Sequence, residues 1–347
     1  MIHAVTFTNR YGRSLRCVLA APEFTRFAIK NITGLGPGQA SINIHEIATT
    51  DGGYYGYSRF SKRNIVVNFL LTDNDENGRY VPIEETRHLA YEFFAPKTPI
   101  QVLVETDARA LVIEGYIESC EPEIFSNQES IQVSILCPGY YFKMVTDGDA
   151  IQRIRVYGNG LFEFPFSNES LTKKLIQFGS VTKDEKFDLY YDGDSENGFT
   201  LEIAFMGDGY PVTGNIKIIN SPKGNTAKGS IGFGHDDSTV TVPEWTDPTI
   251  QDSFIEISMS TLATKLQSVY QGNLYDEGNK IVICTIPGKK SARFIAGNDS
   301  YNILGYLPHL EWMKLQPGNN EINVQTNAAS AGHFYATLNF ECLYLGA

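Results

Sequence analysis

No stretch of the sequence approaches the roughly 20 consecutive apolar residues that carry a helix across a bilayer. Its first residues, MIHAVTFTNRYGRSLRC, lack both the apolar core and the cleavage site of an export signal. The expectation is a chain without a transmembrane segment that is not exported. Cationic charge is also scarce. Lys and Arg number 28 against 40 Asp and Glu, a formal net charge of −12, and affinity for nucleic acid through its phosphates requires the opposite balance. The five cysteines, Cys17, Cys120, Cys137, Cys284 and Cys342, are an odd number without CxxC spacing, and most lie in apolar, strand-like surroundings. That pattern predicts buried free thiols and disfavours a structural zinc site, since the six histidines are dispersed too. Disorder and collagen-like repetition are disfavoured by 42% hydrophobic and 20% charged residues, with Gly and Pro at 31 and 15.

What is present, from end to end, is period-2 alternation in β-branched and aromatic runs bounded by Gly, Asn and Asp. HAVTFT, NIVVNFLL, IQVLVET, ALVIEGYI and SIQVSILC fill the first part; FTLEIAF, NIKIIN, SFIEISM, KIVICTI and HFYATLNFECLYL fill the second. The fold class is therefore mainly β. One helix is expected from about Ile83 to Phe94, behind Pro82, with Glu84 and Glu85 at its N-terminus and Ala-Pro-Lys at 95 to 97 ending it. Residues 1–145 read as an α+β domain whose lone helix covers one face of a sheet. The polar turn VTDGDA marks a boundary, and 150–347 reads as a β-sandwich. With 347 residues the chain has room for two cores.

Residues 29–61 depart from this scheme. They run from GLGPGQ to DGGYYGYSRFSKR with little strand pattern, and a loop that long within a domain is usually functional or ordered by a partner. We read it as an arm. Tyr54, Tyr55, Tyr57, Arg59 and Arg63 are residue types enriched at the centres of interfaces. An ordinary surface hairpin half covered by its own domain explains the same residues.

The order of GLGPGQ, DGGYYGYSRFSKRNIVVNFLL, a helix with Arg87 and Leu89 ending in FFAPKTPI, EGYIESCEPEIFSN and VSILCPGYYF resembles the N-terminal domain of the distal tail protein family of long-tailed, siphovirus-type bacteriophages. YYDGDSENGF, KIVICTIPGKKSARFI, LPHLEWMKLQPGNNEINV and a closing Leu-Tyr-Leu-Gly follow the order of that family's C-terminal domain. The resemblance spans nearly the whole chain. It implies a ring-forming N-terminal domain and an outward-facing, galectin-like C-terminal sandwich. The subunits would form a homohexamer joining the tail tube protein to the baseplate hub, within a virion assembled from chains made in the host cytoplasm. It also implies sites for receptor-binding proteins or host glycans, and a channel through which DNA passes without being specifically bound.

Two rival functions are a carbohydrate-binding module of a tail tip and a glycan hydrolase. For the first, Trp245 between prolines and acids is the candidate contact, whereas Trp312 among leucines is expected in the sandwich core. For the second, no residues single themselves out. There is no GxSxG elbow, no cysteine with a poised histidine and no phosphate-binding glycine loop, so a non-enzyme is expected. No cofactor is expected apart from a candidate calcium loop in the polar insert 72–82. Asp73, Asp75 and Asn77, Gly78 at the turn, the carbonyl of Arg79 and Glu84 fit D-x-[DN]-x-[DN]-G-x5-E. A solvated turn with acids near a helix start explains the same letters.

Overall fold

The computed structural model describes residues 1–20, 26–47, 51–74, 78–123, 128–158, 183–207, 209–224 and 251–347. It divides into two units, Met1–Ala150 with Leu343–Ala347, and Ile151–Cys342. The last five residues therefore belong to the first unit, which corrects the expectation that the second domain runs to residue 347.

The first unit contains β1 (Ile2–Asn9), β2 (Ser14–Val18), β3 (Phe27–Thr33), β4 (Ala40–Glu46), β5 (Gly53–Phe60), β6 (Arg63–Leu71) and α1 (Ile83–Phe93). These are followed by β7 (Pro99–Thr106), β8 (Ala110–Glu123), β9 (Ser130–Cys137) and β10 (Phe142–Met144). Its main sheet runs β2-β1-β7-β8-β9-β6-β3. Burial alternates along β6, with Ile65, Val67 and Phe69 inward, as expected of a strand with one face on a core. That core is aromatic. Phe69 meets Phe7 edge-on at 5.5 Å and stacks on Phe94 at 5.4 Å, while Ala90 and Phe93 of α1 are buried beside them. Helix α1 starts behind Pro82 with Glu84 and Glu85 in its first turn, where carboxylates complement the helix dipole.

The second unit holds β11 (Gln152–Tyr157), β12 (Asp184–Tyr191), β13 (Thr200–Phe205), β14 (Asn215–Gly224), β15 (Ser253–Ser258) and α2 (Met259–Leu266). It continues through β16 (Lys280–Cys284), β17 (Ser291–Ala296), β18 (Asp299–Asn302), β19 (His309–Leu310), β20 (Gly318–Gln325) and β21 (Phe334–Phe340). A six-stranded sheet, β11-β21-β13-β16-β17-β18, and a five-stranded sheet, β12-β20-β14-β15-β19, each bury one apolar face. Tyr191 of one meets Phe340 of the other at 6.1 Å, a contact between the two faces of a sandwich. Helix α2 had no counterpart in the expected elements; it buries Met259, Leu262 and Leu266. Trp312 is only half-buried, so its expected place in the core is corrected: inward positions nearby go to Met313 and Leu315.

The short strand β22 (Leu343–Tyr344) returns the chain to the first unit and pairs with β10. Between the units' sequences, Asp147 and Gly148 both have positive φ (53° and 84°). They form an Asp-Gly hairpin turn closed by Thr146 and Asp149.

Candidate assembly interface

The expected loop at 29–61 is instead β3, an edge strand of the main sheet, followed by a separate two-stranded hairpin of β4 and β5. Every residue of β5 is exposed, and so is every residue of β4 except Asn43, which is half-buried.

The cross-strand register is interrupted once. Asn43 pairs with Tyr57 and Ile44 with Tyr55, which leaves Gly56 as the extra residue of a β-bulge. The bulge sorts the side chains. Ala40, Ile42, Ile44, Tyr55 and Phe60 share an apolar face, on which the Tyr55 hydroxyl donates to Ser58 Oγ at 2.7 Å. Ser41, Asn43, His45, Tyr54, Tyr57 and Arg59 share the other, where the His45 ring stacks on Tyr54 at 5.0 Å. A Cβ on Gly56 would meet that imidazole at 2.8 Å, so glycine makes room for the stack.

The base of the hairpin is held by Arg63. Its Nε donates to the Tyr140 carbonyl (2.8 Å), Nη1 to those of Gly34 (2.5 Å) and Gly36 (2.7 Å), and Nη2 to that of Leu345 (2.6 Å). The guanidinium also lies 4.7 Å from the Tyr140 ring centre and 4.8 Å from that of Phe142. Burial pulls the Arg63 pKa below the ordinary arginine value, opposed by nearby Tyr140 and Cys137. Carbonyl dipoles and aromatic faces thus solvate a buried cation. Tyr140 extends the clamp by stacking on Phe60 at 4.1 Å and accepting the Gly38 N–H at 2.6 Å. Gly34, at φ +87°, is required here, because a Cβ would lie 2.1 Å from the Asn64 carbonyl oxygen.

The expected interface residues therefore divide. Tyr54, Tyr55, Tyr57 and Arg59 lie together on the exposed hairpin, whereas Arg63 is buried beneath it and positions it. Ile42 and Ile44 were missed, although the period-2 run Ser-Ile-Asn-Ile-His carried their signal. Trp245, Asp75 and Asn77 lie outside the described residues. Of the rest of the polar insert, the Val81 N–H donates to the Asp73 carbonyl, and Glu84 sits in the first turn of α1 near His88. Among the described residues no three metal-ligating side chains converge.

A mainly β chain of two units, with a sandwich in the second and an exposed hairpin on the first, defines the architecture to be compared with known structures. It has the fold of a phage distal tail protein. The crystal structure of the Dit protein (gp 19.1) of phage SPP1, described as a paradigm of the hub adsorption apparatus in phages infecting Gram-positive bacteria, matches with a TM-score of 0.52 at 11% identity. That match covers 97% of this chain and 98% of the SPP1 chain. Chains of the phage P2 baseplate in its activated conformation, with Ca and with Sr, align at TM-scores of 0.35 and 0.34 and 9% identity, likenesses too loose to define a shared fold. They cover 98% and 97% of this chain and the same shares of the P2 chains. No protein-family model and no curated protein matches the sequence.

Proposed function

We propose that the chain is a structural protein of a phage virion, a distal tail protein that forms a hexameric ring between the tail tube and the baseplate hub. The likeness to the SPP1 hub protein along the whole chain supports the tail assignment. The hairpin carries the ring assignment. A lone two-stranded hairpin is marginal in water, and this one presents Ile42, Ile44 and Tyr55 to solvent on a single face. Burying each aliphatic side chain against a neighbour contributes about 1.5–3 kcal/mol. In a closed ring each subunit must offer two different surfaces; the hairpin is one of them, laid on the adjacent copy. The reading involves no catalysis, and its site is the tail tip after synthesis in the host cytoplasm.

Light scattering on a size-exclusion column tests this. The expected mass is that of six chains of 38.6 kDa, with rings in negative stain, and Ile44→Asp together with Tyr55→Ser reduces it to a folded monomer. A wild-type monomer at high concentration, absent from rings in assembled tails, overturns the proposal.

A further inference from the structure

The chain leaves the first unit after β10, continues through the second unit, and returns by β22. Outgoing and returning segments are paired strand to strand: β10 with β22, through Phe142–Tyr344 and Lys143–Leu343, and β11 with β21. Leu343–Ala347 therefore belong to the first unit in space, but in the chain they lie beyond the whole of the second.

These residues form a strap across the base of the hairpin. Tyr344 is buried, with the Arg109 guanidinium 4.6 Å from its ring centre and its hydroxyl 3.5 Å from Met144 Sδ. The Leu345 carbonyl accepts from Arg63 Nη2 at 2.6 Å, and the Ala347 N–H donates to the Leu35 carbonyl at 2.9 Å. Gly346 passes so close to the segment before β4 that a Cβ there would lie 3.0 Å from the Leu35 carbonyl oxygen and 3.2 Å from Gly36 Cα and Pro37 Cδ. Of the four carbonyls around the buried Arg63 guanidinium, those of Gly34, Gly36 and Tyr140 precede the second unit, and that of Leu345 follows it. Without the strap, Nη2 of a buried cation loses this acceptor and the edge of β10 that β22 covers is opened.

We propose that the strap is an assembly checkpoint: the hairpin base becomes ordered only once the second unit has been synthesised and β22 has docked. A hairpin on a loose base must be ordered by whatever it docks on, and that entropic cost weakens its docking. An unfinished chain is thereby kept out of the assembly although Ile42, Ile44 and Tyr55 are already exposed. This rests on the hairpin being the assembly surface, but its ordering by the strap is measured without any assembly.

The test is hydrogen–deuterium exchange on the full chain, on a variant lacking Leu343–Ala347, and on full-length Gly346→Leu, whose side chain wedges the strap away from residues 35–37. All three carry Ile44→Asp and Tyr55→Ser, so that no ring contributes protection. In both strap variants, amides of residues 34–46 and 53–60 exchange about tenfold faster or more, the factor for one lost hydrogen bond to a charged group. Strands β13 and β16 of the second unit keep their protection. If the deletion unfolds the whole first unit, Gly346→Leu decides. Unchanged exchange over 34–60 in Gly346→Leu overturns the strap's role, whatever the oligomeric state. With Ile44 and Tyr55 restored and each strap variant co-expressed with the wild type, both are excluded from wild-type rings; entry in proportion to their abundance overturns the checkpoint. A wild type that forms no ring sinks the assembly reading instead, and the exchange result stands apart from it.

Discussion

Strands β5 and β6 lie two residues apart in the chain and both are rich in aromatic or aliphatic side chains, yet β6 spends them on its own core and β5 exposes all of its residues. The difference lies in what flanks them. β6 is hydrogen-bonded between β3 and β9, whereas β5 pairs only with β4. Arg63, the first residue of β6, marks the change, since its guanidinium ties the loop before the hairpin to Tyr140 and to the end of the chain. The contrast teaches that a hairpin can be anchored at its base by a buried side chain while its own two strands stay exposed.

The sharpest way to break that contrast is Arg63→Met. It leaves four carbonyls without their donor, and the expected loss is about 3–5 kcal/mol in the first unit, read by urea denaturation. Gly34→Ala comes next, costing about 1–3 kcal/mol from the backbone conformation alone, with the Asn64 clash added to it. Ile44→Asp, by contrast, is expected to change the stability of the isolated chain by about 0.5 kcal/mol or less and, together with Tyr55→Ser, to abolish the proposed ring. A loss as large as that of Arg63→Met would mean that the hairpin packs on its own subunit.

A smaller, pH-dependent effect sharpens the comparison from the core side. Burial pushes the Cys17 thiol up to about 12 and those of Cys120 and Cys137 to about 11, from an ordinary 9.0. A raised thiol pKa favours the folded state fully below the ordinary value, and the contribution is lost as pH rises through the folded values. The denaturation midpoint of the first unit should therefore fall between pH 9 and pH 11. Substituting Cys120→Ala should flatten the fall, whereas hairpin substitutions should leave its slope unchanged.

Much of this was legible in the sequence. Period-2 runs located strands such as β1, β6, β7 and β9 because each has one face on a core, and Pro82 with Glu84 and Glu85 located α1, whose end at Phe93 is one residue short of the expected Phe94. The tyrosines of the arm were legible by residue type. Their strand was not, because a hairpin with no buried face needs no simple alternation and the bulge at Gly56 shifts the phase.

The sequence by itself determined a mainly β chain, acidic overall, with free thiols, since these follow from local pattern, composition and cysteine spacing. Tertiary structure alone decided that Arg63 is a buried clamp, that Leu343–Ala347 belongs to the first unit, and that Trp312 is half-exposed beside Lys290. Each depends on partners far apart in the chain, as Arg63 and Leu345 are separated by 282 positions. Local periodicity records which face of a strand is buried, but carries no information about which distant segment buries it.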